Sequence, residues 1–519
     1  MFRLIPCIVF LLTVSAVWPA GVGAAIRLPD VFTDHMVLQR DQPVPVWGWA
    51  TPGASVLLRF GAQNLEATAD AEGRWKVELA PLKASAEPAE MLISGDGEVR
   101  LTDILVGEVW LCTGQSNMQW RLLESQGGQE AIAGADYPEI RLFNVSRGVA
   151  FGREEGKLAR WEHCSPETVP EFSGIGYFFG LDMYRRLGIP VGLINSSYGG
   201  SQAEAWTPRE YLSASPDLVP TIEREKMWAA ERPQVQATFD EDVEEWKKAR
   251  DQAKAKGEPI PRSPRVPDAL RDYRIAGSIY QNMIEPLIPY GIRGALWYQG
   301  ESNEERAEQY ELLLTTMIRA WREKWDAGDF PFAIVQLPNF RAVSEVPEDE
   351  AWSHLRDRQR RVADKVDHAG LIVTIDVGEA NDIHPTNKLD VGQRLARWAA
   401  SDVYGNDILA GGPEFKSARF AGDSAVLTFQ RVGEGLRSDD GGDLQEFVIA
   451  GEDGQWHWAE ATIHGKNRVI VRSSEVPNPV AVRYAFNRNP AGANLTNDSG
   501  VPASPFRTDD WPGPTHGRR

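Results

Sequence analysis

The stretch that decides the fold is residues 109–118, which reads Val-Trp-Leu-Cys-Thr-Gly-Gln-Ser-Asn-Met. Its first half is a short apolar run typical of a buried strand, and its second half is a tight turn of small and polar residues. Ser116 in such a turn is well placed to be an exposed nucleophile, because the turn projects the hydroxyl and leaves backbone N–H groups free. Glycine and serine also form ordinary turns, so this motif by itself favours a plain turn.

Further apolar runs follow and alternate with helical patterns. The runs are residues 191–194, 294–298, 333–337 and 371–375, and the helical stretches are residues 178–187, 304–325 and 391–401. This alternation predicts an α/β domain with a parallel sheet and crossover helices, over residues 104–406. Its ligand-binding loops are expected at the carboxyl ends of the strands.

Short strands rich in β-branched and aromatic residues flank this domain on both sides. They cover residues 44–49, 55–60 and 74–79 before it, and residues 424–429 and 469–472 after it. The pattern predicts β-sandwich-like domains at residues 25–103 and 407–519. A charged block at residues 223–268 is helical over residues 240–256 and then rich in proline. It is either a lid or a solvated helix with a stiff linker.

Composition and the first residues restrict the class of protein. Among 519 residues, 55 Lys and Arg stand against 74 Asp and Glu, which gives a formal net charge of −19. This excess argues against nucleic-acid partners and stable docking on an anionic membrane. Residues 1–24 have the charge, apolar run and small residues of a signal peptide, so we expect a secreted or periplasmic protein. Of three cysteines, Cys112 and Cys164 would remain after cleavage; whether they pair is left open, as is the oligomeric state.

A serine nucleophile needs a base, and His384 has the most suggestive context, in the segment Asn-Asp-Ile-His-Pro. Residues two apart in an extended segment point to the same side, so Asp382 is expected beside His384, where it would fix the imidazole tautomer. The plain alternative is a capping aspartate and a surface histidine. Two other loops, residues 195–201 and 297–303, also follow buried strands and are rich in polar residues.

Four segments together resemble, in the right order, the motif blocks of the sialate O-acetylesterase family, a branch of the SGNH hydrolases. They are residues 114–118, residues 195–201 with 204–206, residues 297–303, and residues 382–388. The likeness extends to residues 32–48 and 502–508. The resemblance implies an SGNH-like three-layer domain with Ser116 as nucleophile and His384 as general base. Asp382 is two residues before His384, where the superfamily has three, so Glu301 is an alternative orienting carboxylate.

The resemblance also implies an oxyanion hole made of the Ser116 N–H, a glycine N–H and an asparagine side chain. Gly200 is preferred to Gly199 as the glycine. A serine stands where the third block usually has asparagine, so Gln299 or Asn303 is expected to supply the last donor.

The implied reaction is hydrolysis of O-acetyl esters on carbohydrates through an acetyl-enzyme, without a metal or organic cofactor. O-acetylated sialic acid is the first expected substrate, and acetylated xylan or another polysaccharide is the alternative. Cations that could bind a sialate carboxylate are Arg121, Arg293 and Arg306, and tryptophans near the expected site are Trp110, Trp120, Trp206 and Trp297. Two other classes remain: a glycosidase using Glu301 with Asp382, and a non-catalytic carbohydrate-binding protein.

Overall fold

The computed structural model describes residues 26–149, 152–153 and 159–519. The predicted signal peptide, residues 1–24, lies outside the described residues. No helix in the described part of the chain is long and apolar enough to cross a membrane.

The N-terminal region is built from strands that lead into the centre of the molecule. Strand β3 pairs antiparallel with β4 and β6, β6 pairs antiparallel with β7, β1 pairs parallel with β7, and β2 pairs antiparallel with β5. Strand β7 has 17 residues, and the boundary predicted between residues 103 and 104 falls inside it. The strands are β1 Val37–Gln39, β2 Val44–Trp49, β3 Ser55–Phe60, β4 Gln63–Thr68, β5 Arg74–Leu79, β6 Ser85–Ser94 and β7 Glu98–Gly114.

The second half of β7 lies at the centre of a mostly parallel sheet with the order β11-β8-β12-β7-β13-β14-β15. Only the edge strand β11 runs antiparallel to its neighbour. The central strands are continuous apolar runs because both faces of the sheet are covered. These strands and the small β9–β10 pair are β8 Tyr137–Asn144, β9 Gly148–Val149, β10 Gly152–Arg153, β11 Trp161–Cys164, β12 Val191–Ser197, β13 Gly294–Tyr298, β14 Phe332–Val335 and β15 Ala369–Ile372.

Helices cover both faces of this sheet. Trp110 on β7 contacts Phe179 of α3 and Trp398 of α8. Trp297 on β13 is registered with Thr113, so it points to the opposite face, where it contacts Trp321 of α6. The helices are α1 Ser116–Gln119, α2 Gly128–Ala133, α3 Gly174–Leu187, α4 Arg209–Ser213, α5 Val219–Lys256, α6 Ala307–Trp325, α7 Ala351–Lys365 and α8 Lys388–Trp398.

The charged block at residues 223–268 is mainly the 38-residue helix α5. The sequence predicted helix only from residue 240, but the structure has it from Val219. Pro233 lies inside α5, although proline lacks the N–H that a helix interior uses. Most of the helix is polar and exposed, and its buried residues are Thr221, Ile222 and Ala253.

The C-terminal region forms two four-stranded antiparallel sheets, β16-β17-β22-β21 and β20-β19-β23-β25, and the β18–β24 pair. Phe415 of β16 stacks on Phe506 of β25 with ring centroids 4.3 Å apart, which joins the two sheets through one core. The strands are β16 Glu414–Ala421, β17 Ser424–Gln430, β18 Arg437–Ser438, β19 Phe447–Ala450, β20 Trp456–Trp458, β21 Glu460–His464, β22 Arg468–Arg472, β23 Ala481–Tyr484, β24 Leu495–Thr496 and β25 Phe506–Arg507. The molecule is thus a mixed α/β protein with a large, mostly parallel central sheet and several C-terminal β-sheets.

Candidate active site

Three loops meet at the carboxyl edge of the central sheet. Gly114, the last residue of β7, is registered with Ser197 at the end of β12 and with Tyr298 at the end of β13. A Cβ atom at Gly114 would lie 2.2 Å from the carbonyl oxygen of Tyr298, and its φ is +133°. Glycine is therefore required where the chain turns from β7 into α1.

The predicted nucleophile and base are in contact at this edge. Oγ of Ser116 lies 2.8 Å from Nε2 of His384, within hydrogen-bond distance. Ser116 is the first residue of α1, so its own N–H has no partner within that helix. The imidazole of His384 stacks on Trp120, with ring centroids 5.3 Å apart. The two residues are 268 apart in sequence, and the fold alone brings them together.

The two candidate carboxylates lie in different surroundings. Oδ1 of Asp382 is 3.6 Å from Nδ1 of His384 and accepts the backbone N–H of His384 at 2.8 Å. Glu301 instead accepts a hydrogen bond from Nδ2 of Asn117 at 2.7 Å, and its Oε2 is buried with no hydrogen-bond partner in the described part of the chain. Of the two, the structure therefore places Asp382 beside the second ring nitrogen of His384.

Asn117 and Lys388 form a buried cluster behind the predicted nucleophile. Nζ of Lys388 donates to Oδ1 of Asn117 at 2.6 Å, and Nδ2 of Asn117 also donates to the carbonyl oxygen of Ile383 at 3.0 Å. Both Asn117 and Lys388 are fully buried. Asn117 therefore connects the loops that carry Ser116, Glu301 and His384. Both residues lie inside recognisable motifs, but their role could not be predicted from the sequence, since only the fold brings them together.

Burial shifts the pKa values of this cluster. It lowers the pKa of Lys388 to about 7 and raises the pKa of Glu301 to about 6. Burial also lowers the pKa of His384, and the nearby charge of Lys388 lowers it further against the opposing effect of Asp382. The lowered pKa of His384 keeps its imidazole neutral, and a general base must be neutral to accept a proton.

The glycine beside Ser116 is Gly199, whereas Gly200 is the glycine expected from the family resemblance. A Cβ atom at Gly199 would lie 3.4 Å from Cβ of Ser116. The Gly199 N–H donates to Oε1 of Gln119 at 2.7 Å. Gly200 has a φ of +74°, and a Cβ atom there would approach Tyr273. The positive φ of the loop at this position explains why residue 200 is a glycine.

Gln299 and Asn303 are engaged in an internal network, contrary to their expected role as oxyanion donors. Nε2 of Gln299 donates to Oδ1 of Asn303 at 2.7 Å, and Tyr310 donates to Oε1 of Gln299 at 2.9 Å. Nδ2 of Asn303 donates to Oε2 of Glu204 at 2.9 Å. Both residues are buried, and neither lines the cleft beside Ser116 as the described residues define it. A buried amide needs partners, and here other loops supply them.

Glu204 is the buried anion of this network. Its Oε1 accepts hydrogen bonds from Arg306 at 2.7 Å and Arg224 at 2.9 Å. Burial alone would raise the pKa of Glu204, but the two guanidinium groups and Asn303 outweigh it and hold the pKa at about 2. Arg306 therefore forms an ion pair with Glu204, and it does not line the cleft beside Ser116.

The cleft at Ser116 and His384 has a volume of about 520 Å³, and most of the residues that line it have polar or charged side chains. Arg121 lines it, but Arg121 is paired with both Glu124 and Glu171. Arg147 also lines it, is exposed, and lies over the ring of Tyr198. The other lining residues include Gln119, Trp120, Asn144, Asn195, Ser197 and Gly199.

Other expected cleft residues lie elsewhere. Arg293 pairs with the buried Glu108, and Trp110, Trp206 and Trp297 are fully buried. Cys112 and Cys164 are buried free thiols. Arg147 had no motif around it, so only the folded chain reveals its position.

Comparison with known proteins identifies the class of enzyme. A family model described as carbohydrate esterase, sialic acid-specific acetylesterase, matches residues 267–401. The solved structure of a carbohydrate acetylesterase from Xanthomonas citri is 36% identical, with a TM-score of 0.78, over 94% of this chain and all of that one. The sialate O-acetylesterases of Rattus norvegicus and Homo sapiens are each 26% identical, over 96% and 95% of this chain and 97% and 95% of theirs.

The protein is thus a carbohydrate esterase. Within that class, the chain belongs to the sialate O-acetylesterase family.

Proposed function

We propose that the protein removes O-acetyl groups from carbohydrates through an acetyl-enzyme on Ser116. The 2.8 Å approach of Ser116 Oγ to His384 Nε2 carries this proposal. Nε2 takes the hydroxyl proton while Oγ attacks the acetyl carbonyl carbon, and the ester C–O bond breaks as His384 returns the proton to the sugar oxygen. Water, deprotonated by His384, then attacks the acetyl group, and acetate leaves as the Ser116 hydroxyl is restored.

Asp382 acts as the carboxylate that orients His384 in this mechanism. The 3.6 Å between its Oδ1 and Nδ1 of His384 is longer than a hydrogen bond, and such catalytic contacts commonly tighten when substrate is bound. Glu301 acts indirectly, because it accepts a hydrogen bond from Asn117 and so helps to position the loop that carries Ser116.

The oxyanion hole consists of the N–H groups of Ser116 and Gly199. In this proposal the substrate carbonyl oxygen replaces Oε1 of Gln119 as the acceptor of the Gly199 N–H. Donors of this kind are worth a few kcal/mol each because they bind the charge that develops in the transition state.

The proposed substrate is O-acetylated sialic acid, as the matching family description and the names of the mammalian relatives suggest. Arg147 is the exposed cation at the cleft that would pair with the sialate carboxylate. A second candidate is an uncharged acetylated polysaccharide. The observation in its favour is that Glu124 and Glu171 already neutralise the charge of Arg121 at the cleft.

We also propose that the central domain is an SGNH-hydrolase domain between two β-sandwich-like domains, and that residues 1–24 export the protein. The helices on both faces of the parallel sheet and the paired C-terminal sheets support the first statement. The sequence of residues 1–24 supports the second. N-terminal sequencing of protein secreted by the producing cell tests the cleavage after Ala24.

The decisive experiment compares the intact protein with Ser116→Ala and with the control Ser213→Ala, a substitution on α4 outside the cleft. Acetate release is measured from 4-nitrophenyl acetate, O-acetylated sialic acid and acetylated xylan. We expect Ser116→Ala to lose at least about 10³-fold in kcat/KM on every substrate that the intact protein cleaves, while Ser213→Ala retains full activity. Full activity of a folded Ser116→Ala protein would refute the mechanism. Acetate release from xylan but not from sialic acid would refute the first substrate and favour the second.

A further inference from the structure

A cluster of two histidines and one aspartate lies outside the active site. His35 lies in the turn before β1, Asp103 lies on β7 and His163 lies on β11. The distances are 2.6 Å from Asp103 Oδ2 to His35 Nδ1, 2.9 Å from Asp103 Oδ2 to His163 Nε2, and 3.2 Å between the two ring nitrogens. All three candidate ligand atoms lie within 4.8 Å of one another.

The spacing and the donor types suit a transition-metal ion. Zinc binds imidazole nitrogen and carboxylate oxygen at about 2.0–2.2 Å, so ligand atoms around a tetrahedral ion are about 3.3–3.6 Å apart. The 3.2 Å between the two ring nitrogens is close to this value, and the 2.6 Å and 2.9 Å contacts of Asp103 would widen by about 0.4–1.0 Å when the ion binds. The side chains of His35 and His163 are each 41% exposed, which leaves a path for the ion and room for water ligands.

Arg141 holds the carboxylate of the cluster in place from the inside. Its Nη1 donates to Oδ2 of Asp103 at 2.8 Å, and its Nη2 donates to Oδ1 at 3.1 Å. Nη1 also donates to the backbone carbonyl of His35 at 3.0 Å. Groups that orient metal ligands in this way commonly support metal sites. The positive charge of Arg141 opposes a second cation, so we expect affinity in the micromolar range.

We propose that His35, Asp103 and His163 bind one divalent transition-metal ion of the zinc type. The ion would join the start of β1 and the first half of β7 to the edge strand β11. Eleven residues of β7 separate Asp103 from Gly114, which is about 35 Å along a strand. The ion is therefore structural and takes no part in the chemistry at Ser116.

The test titrates Zn²⁺ into the full chain after treatment with EDTA, followed by calorimetry and thermal unfolding. We expect one Zn²⁺ per chain and a higher Tm with the metal. His35→Gln and His163→Gln should each weaken Zn²⁺ binding at least about 100-fold, since each removes a ligand. The matched control is His457→Gln, which changes a histidine of β20 outside the cluster and should bind as the intact protein does.

Replacement of zinc by Co²⁺ gives a second measurement that does not depend on stability. The visible absorption of bound Co²⁺ should appear in the intact protein and disappear in His35→Gln and His163→Gln, whose folding is checked by circular dichroism. Lack of stoichiometric Zn²⁺ uptake, or unchanged binding in both histidine variants, would overturn the proposal. Loss of esterase activity on removal of the metal from a protein that stays folded would overturn the structural role.

Discussion

Asn117 shows how much of the site depends on one side chain next to the predicted nucleophile. Its amide reaches Glu301, Lys388 and the carbonyl of Ile383, the residue before His384. The distance between Ser116 and His384 is therefore set partly by a buried group that never faces substrate. Such supporting contacts matter because small displacements of reacting groups are costly in catalysis.

The two candidate carboxylates can be separated by matched amide substitutions. We expect Asp382→Asn to lower kcat by about 10²- to 10⁴-fold, because the imidazolium formed in the reaction loses its anion. Glu301→Gln should cost less than about 10-fold, because the Gln oxygen can still accept the hydrogen bond from Asn117. Steady-state kinetics on 4-nitrophenyl acetate measures both. The reverse order would make Glu301 the orienting carboxylate.

Lys388 should set the pH range in which the enzyme works. Its positive charge lowers the pKa of His384, so Lys388→Met should raise that pKa. Activity needs neutral His384, and the acid limb of the kcat/KM profile should therefore move to higher pH by roughly half a unit to one unit. The exposed Lys416→Met is the control and should keep the original profile. An unmoved acid limb in an active Lys388→Met protein would rule out this electrostatic role.

Arg147 should distinguish charged from uncharged substrates. If the cleft binds a sialate carboxylate, Arg147→Met should raise KM for O-acetylated sialic acid about 10-fold and leave 4-nitrophenyl acetate unaffected. Equal effects on both esters would indicate a general disturbance of the cleft. An unchanged KM for the sialate would show that Arg147 does not bind the carboxylate.

At the scale of elements, the long helix α5 is attached to the site through its first turns. Arg224 on α5 donates to Glu204, which also holds Asn303 of the third loop. Arg224→Met should lower the free energy of unfolding by about 1–3 kcal/mol, because a buried carboxylate loses one of its two cations. Lys226→Met, exposed on the same helix, should change it by less than about 0.5 kcal/mol. Equal stability of the two variants in urea unfolding would contradict this attachment.

The elements that the sequence predicted well are those with a simple apolar pattern. Strands Val44–Trp49 and Gly294–Tyr298 have the predicted bounds, since alternation marks the first and continuous apolar character marks the second. Helix α7 was not predicted, because Arg356, Asp357 and Gln359 are polar yet buried, which obscures its apolar face. Periodicity detects burial only where buried residues are apolar.

For the site, too, the sequence predicted the residues that stand in recognisable motifs but not the contacts between different loops. Ser116 and His384 stand in recognisable motifs, and the structure brings them together. Gln299 and Asn303 stand in a motif too, but their partners come from other loops, and so their engagement in an internal network could not be read from local spacing. The positions of the exposed Arg147 and the buried Lys388 depend on contacts with residues distant in sequence, so the sequence could not predict them.

At the scale of the whole molecule, Arg356 links the region of the central sheet to the C-terminal region. Its guanidinium is fully buried and donates to the carbonyls of Leu337 and Pro338 on one side and of Asn487 and Arg488 on the other. Arg356→Met should lower the free energy of unfolding by about 3 kcal/mol, because several buried carbonyls lose their donor. Arg468→Met on the exposed face of β22 is the control. A Tm equal to that of the control would contradict this role.

The continuous strand β7 also bears on how such a protein can change over generations. Many multidomain proteins exchange modules when genes recombine in the linker between them. Here the predicted junction falls within β7, a single strand that is hydrogen-bonded in both regions. A crossover at that point would join two unrelated halves of the strand that leads directly to Ser116. The N-terminal sheet and the catalytic sheet are therefore expected to be inherited together, as a single unit of descent.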